Sequence, residues 1–209
     1  MSLVTAPSDR GAADLERLRE VDVAGDLGYV METIGRCRAA LPAGVPLVGF
    51  AGAPFTLASY AIEGGSSRQF AHTKTLMYGD PGAWHALLDR LARVVGRFLA
   101  AQVAAGAQAV QLFDSWVGCL SPSDYRELVL PHTRAAIAGV PSGIPVIHFG
   151  VGTGQLLPAM REAGGDVIGL DQRAPLGESW DRLGEVAVMG NLDPVTLLAD
   201  ESTMKRETL

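Results

Sequence analysis

The side chains best suited to chemistry in this sequence lie at the ends of its short apolar runs. Several runs end in, or are followed by, carboxylate, hydroxyl, imidazole, amide or guanidinium groups: Asp114, Ser115, His148, Asp171, Arg173, Asn191 and Asp193. Such groups can bind an acidic small molecule, orient it and stabilise charge that develops during a reaction. Polar groups at the carboxyl ends of several parallel strands are the arrangement that a (β/α) barrel uses for its active site.

Five apolar runs have the length of strands. They span residues 45–50, 109–113, 145–149, 166–170 and 186–189. None alternates cleanly between apolar and polar positions, which is typical of parallel strands buried on both faces. Strands of this kind must be connected by crossover helices.

Helical patterns lie between these runs. Apolar residues recur at helical spacing from Trp84 to Leu99, after an Asp80-Pro81 start signal. Ser121-Pro122 and Asp193-Pro194 repeat that signal. A further apolar face extends from residue 27 to residue 41, and we expect Asp26 to cap its helix.

Alternation of strand and helix predicts an α/β fold with a parallel sheet. We expect five or six parallel strands with flanking helices, whereas a complete barrel has eight strands and about 250 residues. Two architectures therefore fit: an open doubly wound sheet, and an incomplete (β/α)8 barrel of the TIM type. We expect residues 1–3 to be a vector-derived leader and residues 4–209 to form one partial barrel domain.

Composition excludes several classes of function. The 209 residues are 48% hydrophobic and 19% charged, with a formal net charge of −6, which disfavours sequence-independent nucleic-acid binding. No GxGxxG or GxxxxGK[ST] motif occurs after a predicted strand, which disfavours a dinucleotide or nucleoside-triphosphate site. Cys37 and Cys119 are too few for a disulfide framework. No leader or membrane-spanning run is apparent, so we expect a cytoplasmic protein without a membrane partner.

Three segments resemble one enzyme family. Residues 45–67 read VPLVGFAGAPFTLASYAIEGGSS, residues 108–118 read QAVQLFDSWVG, and residues 189–194 read MGNLDP. In this order they are similar to the uroporphyrinogen decarboxylases of haem biosynthesis. The resemblance implies a (β/α)8 barrel, a cytosolic homodimer and a carboxy-lyase without a cofactor. That activity removes the acetate carboxyl groups of uroporphyrinogen III and yields coproporphyrinogen III.

The resemblance also implies which residues bind the substrate. Tyr60, in ASYAIEGG, and Ser115, in LFDS, match substrate-binding positions of the family, and Phe113 is expected to line the pocket. The family's catalytic Asp, the Arg residues of its RQAGR-type loop and the His of its LGHG segment have no match in this sequence. We therefore expect no catalytic residue and no metal ligand here, and little or no turnover by these 209 residues alone. Gln172 replaces a Trp found in many bacterial relatives, and we expect a local packing change there.

Each candidate also has an ordinary structural interpretation. Tyr60, which we expect in a loop, could simply pack its ring, and Ser115 could cap the segment that follows it. We expect Asp114 to be a solvated or supporting carboxylate rather than an acid or base, and His148 to be a satisfied histidine of the core or rim. The other histidines lack partners at metal-ligand spacing, and we expect them at the surface or on helix faces: His72, His85 and His132.

Two other functions remain open at this point. A cobalamin-dependent methyltransferase of the same barrel superfamily would need a zinc-bound thiolate, and zinc sites of this kind use His and Cys ligands. The predicted strand end His148-Phe149-Gly150 has no Cys beside it. The second possibility is a non-catalytic fragment that binds a ligand or a partner subunit.

Overall fold

The fold is built on a sheet of five parallel strands. A computed structural model describes residues 18–65 and 67–208, so the predicted leader at residues 1–3 lies outside the described residues. The strands are β1 (Val48–Gly52), β2 (Ala109–Asp114), β3 (Val146–Gly150), β4 (Val167–Gly169) and β5 (Ala187–Met189). All five correspond to apolar runs that predicted strands, with bounds shifted by up to three residues.

The order of the strands distinguishes the two architectures. They lie in the order β1-β2-β3-β4-β5, and each is parallel to its neighbour. A doubly wound sheet reverses its strand order at a switch point, whereas a (β/α) barrel adds each strand beside the preceding one. The sheet is therefore of the barrel type. Within the described residues it does not close, because β1 pairs only with β2 and β5 only with β4.

Nine α-helices accompany the strands in the described part of the chain. They are α1 (Val23–Ala40), α2 (Pro54–Glu63), α3 (Ala71–Gly79), α4 (Pro81–Ala104), α5 (Pro122–Leu128), α6 (Leu130–Ala138), α7 (Leu157–Ala163), α8 (Leu176–Leu183) and α9 (Glu201–Thr208). Short 3-10 helices span Val117–Cys119 and Pro194–Leu198. Among the described residues, no helix has the length and hydropathy needed to cross a membrane.

The predicted helix starts are confirmed at α4 and α5. The Asp80 carboxylate accepts a hydrogen bond from the Ala83 amide at 2.9 Å, and Ser121 Oγ accepts one from the Asp124 amide at 3.1 Å. These side chains satisfy amides that have no partner within the helix. Asp193 accepts from the Val195 amide in the same way, but a 3-10 helix follows it instead of an α-helix.

The predicted cap of α1 is wrong. The helix begins at residue 23, and the carboxylate of Asp22 accepts from the Ala24 amide at 3.1 Å. Asp26 lies in the first turn, where its carboxylate binds the Arg19 guanidinium at 2.6 and 2.9 Å. A carboxylate at either position is favourable beside the positive end of the helix dipole, so the sequence signal was ambiguous by one turn.

The two faces of the sheet have different neighbours. One face packs against the helices and buries alternate residues, including Val110 and Leu112 of β2. The opposite, inner face carries three aromatic rings in a row, with the Phe113 ring centroid 5.8 Å from that of Phe50 and 5.7 Å from that of Phe149. Phe50, on the outer strand β1, remains 62% exposed.

Gly169 makes room for this row of rings. A Cβ atom at Gly169 of β4 would lie 2.8 Å from a ring carbon of Phe149 on the neighbouring strand. The missing side chain therefore lets the Phe149 ring lie across β4. The inner face is thus an apolar surface on the side of the sheet that a barrel encloses.

Candidate functional site

The candidate site lies at the carboxyl edge of the sheet, by which we mean the strand ends and the residues that directly follow them. Ser115 comes immediately after β2 and is half-buried, and Phe113 is the penultimate residue of β2 on the inner face. Two of the three predicted substrate contacts are therefore neighbours at this edge. Their side chains belong to the side of the fold where barrel enzymes bind their substrates.

Tyr60 is brought to the same edge by a helix, not by a loop as we expected. Helix α2 begins directly after β1, with Pro54 in its first turn, and it ends at Gly64, whose φ is 71°. The Tyr60 ring stacks on Trp116, with 3.9 Å between ring centroids, and Tyr60 is 51% exposed. Because Trp116 is the residue after Ser115, this contact links the two predicted hydroxyl-bearing residues.

Trp116 is the residue of this site that the sequence analysis did not single out. Its ring packs on Tyr60 and also on Phe70, with 5.1 Å between the second pair of centroids. Trp116 therefore contacts the Tyr60 ring from one side, and Tyr60 remains half exposed. The only sequence signal was its place inside the LFDSWVG segment.

The loops that follow β2 and β3 contact each other through glycine. A Cβ atom on Gly118 would lie 2.3 Å from the carbonyl oxygen of Val151 and 2.8 Å from that of Gly152. No side chain can be accommodated there, because both obstacles are backbone atoms. Glycine at residue 118 therefore permits the close approach of these two loops.

Hydrogen bonds continue this connection to the ends of β4 and β5. Asp171 Oδ2 accepts from the Gly152 amide at 2.7 Å, and the Asn191 side-chain amide donates to the Asp171 carbonyl at 3.0 Å. Asn191 donates to the Ala174 carbonyl as well. The strand-end residues Asp171 and Asn191 thus link the loops of the carboxyl edge through hydrogen bonds.

Asp114 lies on the helix-facing side of β2 and is fully buried. Of the two environments expected for Asp114, the solvated one is therefore wrong, because alternation along β2 turns Asp114 away from the face that carries Phe113. Thr56 Oγ1 lies 3.4 Å from Asp114 Oδ1, and His148 Nε2 lies 3.6 Å from Oδ2. Desolvation raises the pKa of Asp114 even though His148 and Thr56 favour its ionised form.

His148 occupies a core position, as expected, but it is not satisfied. It is fully buried on β3, and neither ring nitrogen has a hydrogen-bond partner among the described residues. Tyr125 approaches the same group from α5, where burial and the nearby Asp114 raise the pKa of its phenol. Asp114, His148 and Tyr125 therefore form a buried polar cluster behind the carboxyl edge.

A second histidine cluster joins α4 to α6. His132 lies on helix α6, one of the two positions we expected, but it is 4% exposed and therefore not at the surface. Its Nε2 lies 2.7 Å from His85 Nδ1, and its Nδ1 lies 2.8 Å from Asp89 Oδ1. Burial lowers the pKa of His132, and the Asp89 carboxylate opposes this shift. Within residues 18–65 and 67–208, no group of three His, Cys, Asp or Glu residues is arranged to hold a metal ion.

Sequential parallel strands with aromatic, hydroxyl and charged groups at their carboxyl edge define a (β/α)-barrel type of enzyme scaffold. Comparison with known proteins identifies one family within this class of scaffold. A family model described as "Uroporphyrinogen decarboxylase (URO-D)" matches residues 4–209, and the chain belongs to this family. The family predicted from the three sequence segments is confirmed.

Curated relatives support the same assignment. The chain is 54% identical over 199 residues to a uroporphyrinogen decarboxylase of Sorangium cellulosum, a match covering 94% of this chain and 57% of that protein. It is 51% identical over 199 residues to a uroporphyrinogen decarboxylase of Thermus thermophilus, covering 95% and 58% respectively. The chain thus spans a little over half the length of the curated relatives it matches.

Solved structures of low sequence identity share the fold. A methyltransferase from Methanosarcina mazei aligns with a TM-score of 0.80 at 20% identity, covering 99% of this chain and 61% of that one. A putative vitamin-B12 independent methionine synthase from Listeria monocytogenes aligns with a TM-score of 0.60 at 15% identity, covering 86% and 56%. At these identities the likeness concerns the fold alone, and it confirms the predicted partial barrel.

Proposed function

We propose that this chain supplies the substrate-binding half of a uroporphyrinogen decarboxylase, which removes the acetate carboxyl groups of uroporphyrinogen III to give coproporphyrinogen III. The observation that carries this proposal is the stacking of Tyr60 on Trp116 beside Ser115 at the carboxyl edge. We infer that the two hydroxyl groups and the aromatic inner face contact one ligand. A tetrapyrrole needs such a combination, because its rings are apolar and its side arms are acidic.

The chemistry assigns different tasks to these groups. Protonation of a pyrrole carbon converts the ring into an electron sink, and the bond to the carboxylate then breaks so that its electron pair enters the ring and CO2 leaves. The methylene group left behind takes up a proton to become methyl, and the ring carbon loses the proton that it had gained. The Tyr60 and Ser115 hydroxyls would donate hydrogen bonds to the departing carboxylate and orient it. Phe113 would contact the pyrrole rings from the inner face.

The remaining task is stabilisation of the pyrrole cation. In the family this is the role of an Asp in a motif that has no match in this sequence, and a preorganised charge of this kind supplies much of the catalytic effect. The buried Asp114 lies on the other face of β2, so it cannot take this role without leaving the helical layer. We therefore propose that the 209-residue chain alone binds and orients the tetrapyrrole but turns it over slowly or not at all.

Two measurements test this proposal. An anaerobic decarboxylation assay with the 209-residue chain should yield little coproporphyrinogen, and robust formation would contradict the proposed division of tasks. Fluorescence titration with uroporphyrin, the stable oxidised form of the substrate, should show saturable binding. Absence of binding would contradict the substrate assignment.

Single substitutions test whether the Tyr60 and Ser115 hydroxyls contact the ligand. Tyr60→Phe and Ser115→Ala should each weaken uroporphyrin binding by about 2- to 10-fold, the usual effect of losing one hydrogen bond. Tyr29→Phe is the matched control, because Tyr29 is 68% exposed on α1 and removal of its hydroxyl should leave binding unchanged. Equal effects at residues 60 and 29 would count against a site at the carboxyl edge.

The family also suggests how the protein is assembled and where it works. We propose a homodimer in the cytoplasm, as the resemblance implies. Sedimentation-velocity measurements at several protein concentrations test the first part, and a species of one chain mass throughout would contradict it. Fractionation of the source cells tests the second.

A further inference from the structure

We propose that Arg173 binds a carboxylate side arm of the tetrapyrrole at the rim of the site. This inference rests on the function proposed above and adds a specificity residue to it. Arg173 lies in the loop after β4, four residues beyond the last residue of that strand, and nothing in the family resemblance assigns it a role. Its place at the carboxyl edge and the state of its guanidinium both support a carboxylate-binding role.

The base of Arg173 is held by a buried carboxylate. Asp171 Oδ1 accepts from the Arg173 amide at 3.3 Å, and Oδ2 lies 3.4 Å from Arg173 Nη1. The Asp171 side chain is 3% exposed, whereas the Arg173 side chain is 64% exposed. A side chain whose backbone end is held by hydrogen bonds while its guanidinium is solvated is suited to bind a charged ligand.

Most N–H donors of the Arg173 guanidinium make no hydrogen bond to the described residues. Arg126, for comparison, is bound by both oxygens of Glu162 through Nε and Nη2, at 2.9 to 3.2 Å. Arg173 makes one long contact to Asp171 among the described residues, through a single nitrogen. Because a guanidinium has five N–H donors and prefers two parallel bonds to a carboxylate, most of its binding capacity is open to a ligand.

A series of contacts along the carboxyl edge connects Arg173 to Tyr60. Tyr60 stacks on Trp116, and Gly118, two residues further on, packs against the backbone of Gly152. Arg173 Nη1 lies 3.7 Å from the position that a Cβ of Gly152 would occupy. Along the carboxyl edge Tyr60 follows β1, Ser115 follows β2 and Arg173 follows β4, so Arg173 lies two strands along the sheet from Ser115.

The proposed ligand has carboxylates on several sides, which suits a second contact apart from Tyr60. A porphyrinogen carries its carboxylates around its periphery, so a group that binds one arm must lie apart from the groups that face the reacting arm. Gly152 has no side chain to obstruct the guanidinium, and its φ of 68° disfavours a larger residue. Arg173 thus suits an arm that is retained while Tyr60 and Ser115 face the arm that reacts.

The test compares Arg173→Gln with Arg36→Gln in the 209-residue chain. Arg36 is an exposed residue of α1 paired with Glu32, so both substitutions remove one positive charge but only one lies at the carboxyl edge. Uroporphyrin binding should weaken about tenfold in Arg173→Gln and change less than about twofold in Arg36→Gln. Arg173→Lys should recover part of the loss, because it keeps the charge but not the paired geometry.

A second ligand separates this inference from the proposed function. The Nε–H resonance of Arg173 is followed by NMR during titration with benzene-1,2,4,5-tetracarboxylate, which carries carboxylates but no pyrrole. A saturable shift of that resonance is expected.

If uroporphyrin binds Arg173→Gln as tightly as the parent chain, the inference is wrong and the proposed function stands. If the tetracarboxylate shifts the resonance while uroporphyrin does not bind, the carboxylate site stands and the tetrapyrrole function falls. If neither ligand perturbs Arg173, the inference is overturned.

Discussion

Replacing Gly118 by alanine should disrupt the site without removing any group that contacts the substrate. The new Cβ would lie 2.3 Å from the Val151 carbonyl oxygen, where an ordinary contact needs more than 3 Å. Neither obstacle is a flexible side chain, so the two loops must separate by nearly 1 Å. Forced displacement of this kind costs about 1–3 kcal/mol. For a chain of this size, a cost of about 2 kcal/mol corresponds to a fall in Tm of about 4–8 °C.

The assay is thermal and urea unfolding of Gly118→Ala, with uroporphyrin titration at a temperature where the variant is folded. Gly154→Ala is the matched control, because a Cβ there meets no atom within 4 Å. We expect the control to unfold like the parent chain. We expect Gly118→Ala to lose both stability and affinity, since its loop connects Ser115 to the edge that carries Arg173. Unfolding and binding indistinguishable from those of the control would refute the close approach of the two loops.

Three further predictions concern buried groups. Burial raises the pKa of Asp114, so the folded chain favours the protonated acid, and stability is lost as pH rises through that raised pKa. Asp114→Asn should flatten this dependence in urea unfolding above about pH 4, the usual pKa of an aspartate; an unchanged slope would contradict it. Burial lowers the pKa of His132, so its contribution is present above about pH 6.5 and is lost as pH falls through the lowered pKa. His132→Gln should remove that acid-side loss, and persistence of the loss would assign it to another group. Trp84→Phe removes the indole donor to the Leu128 carbonyl, a 2.8 Å bond in the core, and should lower the unfolding free energy by about 1–3 kcal/mol in denaturant titrations.

The sheet was predictable from sequence because parallel strands buried on both faces leave a strong local signal. Uninterrupted apolar runs located the five strands and indicated that they are parallel, and proline after a capping residue indicated the starts of α4 and α5. Helix α2 was not predicted, because six of its ten residues are buried and apolar residues occur on most of its sides. A helix buried in this way shows little periodicity, so Tyr60 was expected in a loop.

The environment of each candidate residue was harder to predict than its position in the chain. Ser115 and Phe113 follow from the end of β2, but the side of the sheet that Asp114 faces depends on which face the helices cover. A continuous apolar run does not reveal that choice. The pairing of Tyr60 with Trp116 and the contact between residues 118 and 152 join segments far apart in sequence, and no local pattern encodes them.

The strand order also has a consequence for how the chain acquires its structure during synthesis. In the described part of the chain, each strand from β2 to β5 pairs with the strand that precedes it, so its pairing partner has already been synthesised. Within residues 18–65 and 67–208, the connections that must close are therefore those between successive β-α units. These strands can thus be added to the sheet one after another as synthesis proceeds.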